Sequence, residues 1–381
     1  MDDKLLKRGV LLLSENAGVG GIKSYVIQIA EGLRSFGIPV DIAAVWPKPD
    51  NWLGEQCAQR GFDWQVLAKR RTVSSLPANV LALAKKVRKR GYAIVHTQGH
   101  YSGLVARAAY VLTGKPFRLV ATLHGMAEDP RLGIQAFYWF DWRTFHLNHA
   151  AIANSQDTAN RLIRLGVRRP QPVVVHHGVV SHFEAERAAN DEADVYRPRE
   201  NVPPTIVHVG RLSREKGADI LIEAAHLLKL NGRAFRVTIV GDGPERANLE
   251  ALVARYGLTA DVQFVGWQVD VDPYYRLATL VVTPSRRESL GLTVLEGMLR
   301  GRPVIACRVE GVPEIVSNGE TGILIGSENP QELAQAIERL LDDPMLCHKL
   351  SRAGRQYVLR QHTIEGMANQ TVSVYRQALE A

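Results

Sequence analysis

The sequence predicts an α/β protein made of two Rossmann-like, doubly wound parallel-sheet domains. Three observations lead there. Short β-rich runs alternate with amphipathic stretches along most of the chain, as when helices cover both faces of a parallel sheet. Near the middle the alternation is interrupted by Glu184 to Pro204, which is poor in apolar residues and rich in charge and proline. The 381 residues, 46% of them hydrophobic, are enough for two cores, since a domain commonly holds about 100 to 200 residues.

The elements follow in order. Val10 to Leu13 reads as a buried strand, Ser14 to Gly21 as a glycine-rich turn, and Ile22, Tyr25, Val26, Ile29, Ala30 and Leu33 as one stripe of a helix ending near Gly37. Further strands are expected at Val40 to Val45, Ile94 to His96, Leu119 to Leu123, Ala151 to Ala153 and Val173 to Val175. Beyond the linker a second series comprises Thr205 to Val209, Arg236 to Val240, Val262 to Val265, Leu280 to Val282, Val304 to Ala306 and Ile323 to Ile325, with helices from about Gln331 onward. The domains are read as 1–185 and 205–361, joined by a linker over 186–204. Such sheets bind ligands in a cleft at the carboxyl ends of their strands.

Composition excludes several classes. The core content rules out global disorder, and Cys57, Cys307 and Cys347 lack the number and spacing of a disulfide framework or zinc site. The chain is expected to be cytoplasmic: its N-terminus has no signal-peptide core, and no apolar run approaches the roughly 18 residues that span a bilayer. The net charge of +8 is uneven. Residues 1–190 carry 25 basic and 14 acidic side chains, whereas residues 191–381 carry 22 and 25. The excess therefore lies in the first half, where it suits an anionic acceptor or membrane surface rather than nucleic acid.

Four segments carry chemistry. Gly18-Val-Gly20-Gly21 joins the first strand to the first helix and suits either close approach of an anion or a tight turn. In Gly210-Arg211-Leu-Ser-Arg214-Glu215-Lys216-Gly217, Arg211 and Lys216 stand beside a helix start, the arrangement of a diphosphate cradle. Thr283 to Met298 places Glu288 and Glu296 on either side of a loop-to-helix junction. Thr122-Leu123-His124-Gly125 follows a strand.

Together with Gly241-Asp242-Gly243-Pro244 and Glu310-Gly311-Val312-Pro313-Glu314, these motifs occur in the order of the retaining glycosyltransferases of family 4, which the chain resembles from about Val10 to its C-terminus. The resemblance implies a GT-B fold, two Rossmann-like domains facing across a cleft, with the helix of about 362–381 packing back on the acceptor-side N-terminal domain. It implies a nucleoside-diphosphate sugar as donor and a glycan or lipid-linked acceptor. It also implies that Arg211 and Lys216 hold the diphosphate, that Glu288 faces the donor sugar, that backbone groups of Gly291 and Leu292 complete the phosphate and sugar contacts, and that Glu296 takes the ribose hydroxyls. Gly20 and Gly21 would close over the phosphate, and His124 would act near the reacting sugar. Fixed cations that stabilise a leaving diphosphate leave no obligatory metal or other cofactor.

Other features weigh against or beside this reading. The family's Asn-Gly-Val-Asp is replaced by His177-Gly178-Val179-Val180, without the acid. His176 and His177 are neighbours that cannot share a face of a strand, and no third metal ligand is nearby. Asp270-Val271-Asp272 reads as a solvated loop rather than a metal-binding pair. Lys69-Arg70-Arg71 and Lys85 to Arg90 suit an anionic membrane or a solvated helix end, and Phe137 to Phe145 suits helix packing, an acceptor groove or a membrane interface. The expected function is a retaining hexosyltransferase of cell-surface polysaccharide, lipopolysaccharide or glycolipid synthesis, cytoplasmic or peripheral on the inner membrane. The alternatives are an inactive sugar-nucleotide-binding regulator and a GT-B epimerase or phosphorylase.

Overall fold

The structure is a computed structural model and describes residues 2–18, 21–68, 75–125, 132–181, 184, 195–196 and 202–381. The chain divides into two compact units, residues 1–178 with 364–381, and residues 179–363.

In the first unit seven parallel strands lie in the order β3-β2-β1-β4-β5-β6-β7. They are β1 (Val10–Asn16), β2 (Val40–Trp46), β3 (Asp63–Val66), β4 (Ile94–Gln98), β5 (Arg118–Leu123), β6 (Ala150–Ala153) and β7 (Pro172–Val174). β1 runs further than its apolar core suggests, because Ser14 and Asn16 still pair with Ala44 and Trp46 of β2. β3 has a half-exposed, mixed pattern characteristic of an edge strand, which is why its hydrophobicity does not announce it. Helix α1 (Asp2–Leu6) precedes β1, and α2 (Gly21–Ser35) follows it, burying Tyr25, Val26, Ile29, Ala30 and Leu33.

The C-terminal helix, Ile364–Glu380, belongs to this unit and packs along α2. Contact is close because Gly32 has no side chain: a Cβ there would stand 2.6 Å from that of Ala368. Met367, Ala368, Val372 and Tyr375 complete the core beneath α2. Tyr375 also reaches a buried polar network, its hydroxyl 2.7 Å from Nδ1 of His96, whose Nε2 lies 2.6 Å from Thr122 Oγ1. Burial pushes His96 down to about 3, so the ring is neutral.

The second unit is a six-stranded parallel sheet in the order β10-β9-β8-β11-β12-β13. Its strands are β8 (Thr205–Val209), β9 (Arg236–Val240), β10 (Val262–Gly266), β11 (Leu280–Thr283), β12 (Val304–Cys307) and β13 (Ile323–Ile325). Most of the predicted linker lies outside the described residues. Where it is described, Tyr196 is buried in the second unit's core and its N–H donates to Gly301 O at 2.9 Å.

Both sheets reverse strand order once, between β1 and β4 in the first unit and between β8 and β11 in the second. At such a switch point the loops leaving adjacent strands run to opposite sides and open a crevice at the carboxyl edge. The described site residues lie at or beside these two edges. All three cysteines are buried and unpaired, and no described helix is long and apolar enough to cross a membrane.

Candidate active site

In the second unit the loop after β8 carries Arg211 and Lys216, and the loop after β11 carries Glu288. Close backbone contacts lock the first loop against its neighbours. Gly217 sits at φ 69°, where a Cβ would lie 2.0 Å from Pro284 O, and Gly241 sits at φ 139°, where one would lie 1.9 Å from Gly210 O. Arg286 and Arg287 N–H groups donate to Glu215 O at 2.8 and 3.3 Å, tying the two loops together. Lys216 Nζ is thereby held 2.5 Å from Glu288 Oε2. Arg211 is exposed and has no ion-pair partner among the described residues. Arg286 is committed elsewhere, bidentate to Asp219 at 2.7 Å and paired with Glu328, so it positions the loop rather than offering charge to a ligand.

Gly291, at φ 102°, starts the helix Leu292–Leu299, and that helix has no side-chain cap hydrogen bond at its N-terminus. Its first N–H groups, those of Leu292 included, lack intrahelical acceptors and favour an anion. Glu296 lies one turn further in. Its Oε2 accepts from the Tyr275 hydroxyl at 2.8 Å. Burial raises the Glu296 carboxyl above its usual range, against the hydrogen bond from Tyr275 and the charge of Arg300. Asp272 is not in a solvated loop, as its sequence suggests: it opens the helix Asp272–Leu277 and pairs with Arg276 and Arg300. Tyr275 and Arg300 have no motif to mark them; only the fold brings them to Glu296.

The first unit's switch point holds a cavity of about 190 Å³ lined by Ser14, Glu15, Lys23, Gln98, His124 and Tyr138, among others. Glu15 Oε1 accepts from the Tyr101 N–H at 2.8 Å, capping the helix His100–Leu112 from across the switch point. Lys23 is half-buried, and burial lowers its pKa against the opposing charge of Glu15. His124 is engaged at both ring nitrogens: Nε2 is 2.9 Å from Gln98 Oε1 and Nδ1 is 3.3 Å from His177 Nε2. Burial, reinforced by His96 and Lys23, pushes His124 down to about 3. A hydrogen bond from this neutral ring to a sugar requires it to release one of these partners. Tyr25 packs against both rings, with centroids 4.8 Å from His124 and 4.6 Å from His177. His177 is thus a packing and hydrogen-bonding neighbour of His124, and no metal-binding group of three ligands occurs among the described residues.

Gly21 opens α2 beside this cavity, whereas Gly20 lies outside the described residues, as does Lys69-Arg70-Arg71. The second basic cluster is partly neutralised, since Arg90 pairs with Asp41 and Asp63 at 3.2 and 2.7 Å. Within the helix Leu132–Thr144, Trp139 and Phe140 are 66% and 50% exposed, so the aromatic segment is not wholly core.

Two doubly wound sheets, the second with a paired lysine and glutamate beside an open helix start, define a two-domain α/β protein with a candidate anion site. Family models narrow this: that of Glycosyltransferase Family 4 matches residues 19–182, and that of Glycosyl transferases group 1 matches residues 192–357. D-inositol 3-phosphate glycosyltransferase of Acidothermus cellulolyticus is 32% identical over 94% of this chain and 86% of its own. Alpha-D-kanosaminyltransferase of Streptomyces kanamyceticus is 36% identical over a shorter match, 46% of each chain. The Anabaena Alr3699/HepE structure in complex with UDP-glucose superposes with a TM-score of 0.80 at 21% identity, over 96% of this chain and 98% of that one. The chain belongs to glycosyltransferase family 4 and has the GT-B fold.

Proposed function

We propose that the protein transfers a sugar, with retention of anomeric configuration, from a nucleoside-diphosphate sugar to an acceptor hydroxyl. The observation that carries this is the Lys216–Glu288 pair, 2.5 Å apart at the second unit's switch point and next to the uncapped helix start at Gly291. As the bond from the sugar's anomeric carbon to the diphosphate breaks, charge grows on the leaving oxygen. Lys216, Arg211 and the free N–H groups after Gly291 supply fixed positive charge for it. The acceptor oxygen bonds to the same carbon and its proton leaves with the diphosphate. Glu288 orients Lys216 and takes donor-sugar hydroxyls, and Glu296 takes those of the ribose. The HepE complex supports a sugar-nucleotide donor through shared fold.

We place the enzyme in the cytoplasm, making surface glycans or glycolipids, with the basic first half near an anionic membrane surface. A thermal-shift screen of UDP-, GDP- and ADP-sugars should yield one stabilising donor class. NMR of the product should show the donor's anomeric configuration; an inverted linkage would overturn the retaining assignment.

A further inference from the structure

The cavity of the first unit contains an imidazole held in one tautomer by a buried ion pair. His100, the first residue of the helix His100–Leu112, places Nδ1 2.7 Å from Asp141 Oδ2. Asp141 pairs through its other oxygen with Arg107, and both side chains are almost wholly buried, at 2% and 3% exposure. Arg107 is itself fixed by Thr144 Oγ1 at 3.0 Å. A carboxylate so paired can only accept, so Nδ1 of His100 carries the proton and, in the neutral ring, Nε2 carries a lone pair. The ring is wedged edge-on between Tyr138 and Trp142, with centroids 4.9 and 5.3 Å away, and cannot easily turn.

Nε2 is shielded from solvent and has no hydrogen-bond partner among the described residues, and His100 lines the cavity that also holds Glu15, Lys23 and His124. A buried acceptor without a donor is costly, and a ligand hydroxyl relieves that cost. The charged groups on the cavity wall, Glu15 and Lys23, oppose each other in sign, which favours a neutral ligand over a phosphate or an ammonium. We propose that His100, oriented by Asp141 and Arg107, accepts a hydrogen bond from one hydroxyl of a neutral polyhydroxylated acceptor ring, a sugar or cyclitol. The proposal rests on the transferase reading above and specifies its acceptor.

The test uses the full chain with whichever of UDP-, GDP- or ADP-glucose binds most tightly. Myo-inositol, methyl α-glucoside and methyl α-mannoside serve as neutral probes, with glucose 6-phosphate and 2-deoxystreptamine as charged ones. Transfer to at least one neutral ring is expected. His100→Asn keeps a donor to Asp141 but lacks an acceptor at the Nε2 position, so the KM for that ring should rise about tenfold, the loss of one hydrogen bond, with kcat and donor affinity little changed. His100→Gln, whose Oε1 reaches towards the Nε2 position, should recover most of the affinity. A purely structural role predicts the reverse order, since Asn would preserve the ion-pair network. If the wild type neither binds nor turns over a sugar nucleotide, the transferase reading fails. If it binds donor but uses no neutral ring, or if His100→Asn matches the wild type, the His100 assignment falls and the transferase reading stands.

Discussion

Lys216 and Glu288 are 72 residues apart in sequence and share one hydrogen bond in the fold. They satisfy each other in the structure; under the proposed function, donor binding gives the lysine a diphosphate and the carboxylate sugar hydroxyls. Removing either partner leaves the other uncompensated in a half-buried setting. Lys216→Ala is expected to reduce kcat/KM by about 100-fold or more, the scale of losing one fixed stabilising charge, with circular dichroism unchanged; full activity would remove Lys216 from the site. Tyr275 makes a subtler prediction. Its hydroxyl favours the ionised form of Glu296, which burial opposes. Tyr275→Phe should therefore move the acid limb of the kcat/KM profile to higher pH, and an unmoved limb would separate Glu296 from donor binding. Motif order made Lys216, Glu288 and Glu296 legible in the sequence. Tyr275, His100 and Asp141 were not, because their roles arise from contacts between elements distant in the chain.

Among the elements, the strands were the most readable, since parallel strands covered on both faces are nearly continuous apolar runs. β3 was the exception: an edge strand with one solvent-facing side has no such run. The two switch points could not be read at all, because strand order depends on which edges pair and not on local pattern. Loops of the second unit depend on glycine in two different ways. Gly217 and Gly232 have similar positive φ values, 69° and 73°, yet a Cβ at Gly217 would meet Pro284 O at 2.0 Å while one at Gly232 would meet nothing within 4 Å. Gly232→Ala should cost about 1–2 kcal/mol for backbone conformation alone. Gly217→Ala should cost clearly more and reduce activity as well, since the loop bearing Lys216 must move. Equal urea midpoints for the two variants would contradict the close contact.

At the scale of the whole molecule, buried neutral histidines make both units sensitive to acid. His96 is pushed down to about 3 in the first unit and His208 to about 4 in the second, in both cases chiefly by burial. In the unfolded chain each returns to about 6.5. The unfolded state thus binds more protons below that value, so the stability these rings confer is full above pH 6.5 and is lost as pH falls towards the folded values. At pH 5 the loss is about 2 kcal/mol per ring. The thermal midpoint should drop between pH 7 and pH 5; a flat profile would mean that the rings protonate as freely folded as unfolded.

The path of the chain has a further consequence. Residues 179–363 form one unit inside a sequence whose two flanks form the other, and the entering and leaving segments run side by side: Val179 N–H donates to His362 O at 2.8 Å and Val180 bridges Thr363. The second unit is therefore an insertion whose ends meet. Residues 179–363 are all synthesised before the helix that supplies Met367, Ala368 and Tyr375 to the first unit's core. The half begun first is the half finished last. A released chain truncated after Thr363 should protect the 205–361 region from protease while its N-terminal 178 residues remain open to cleavage.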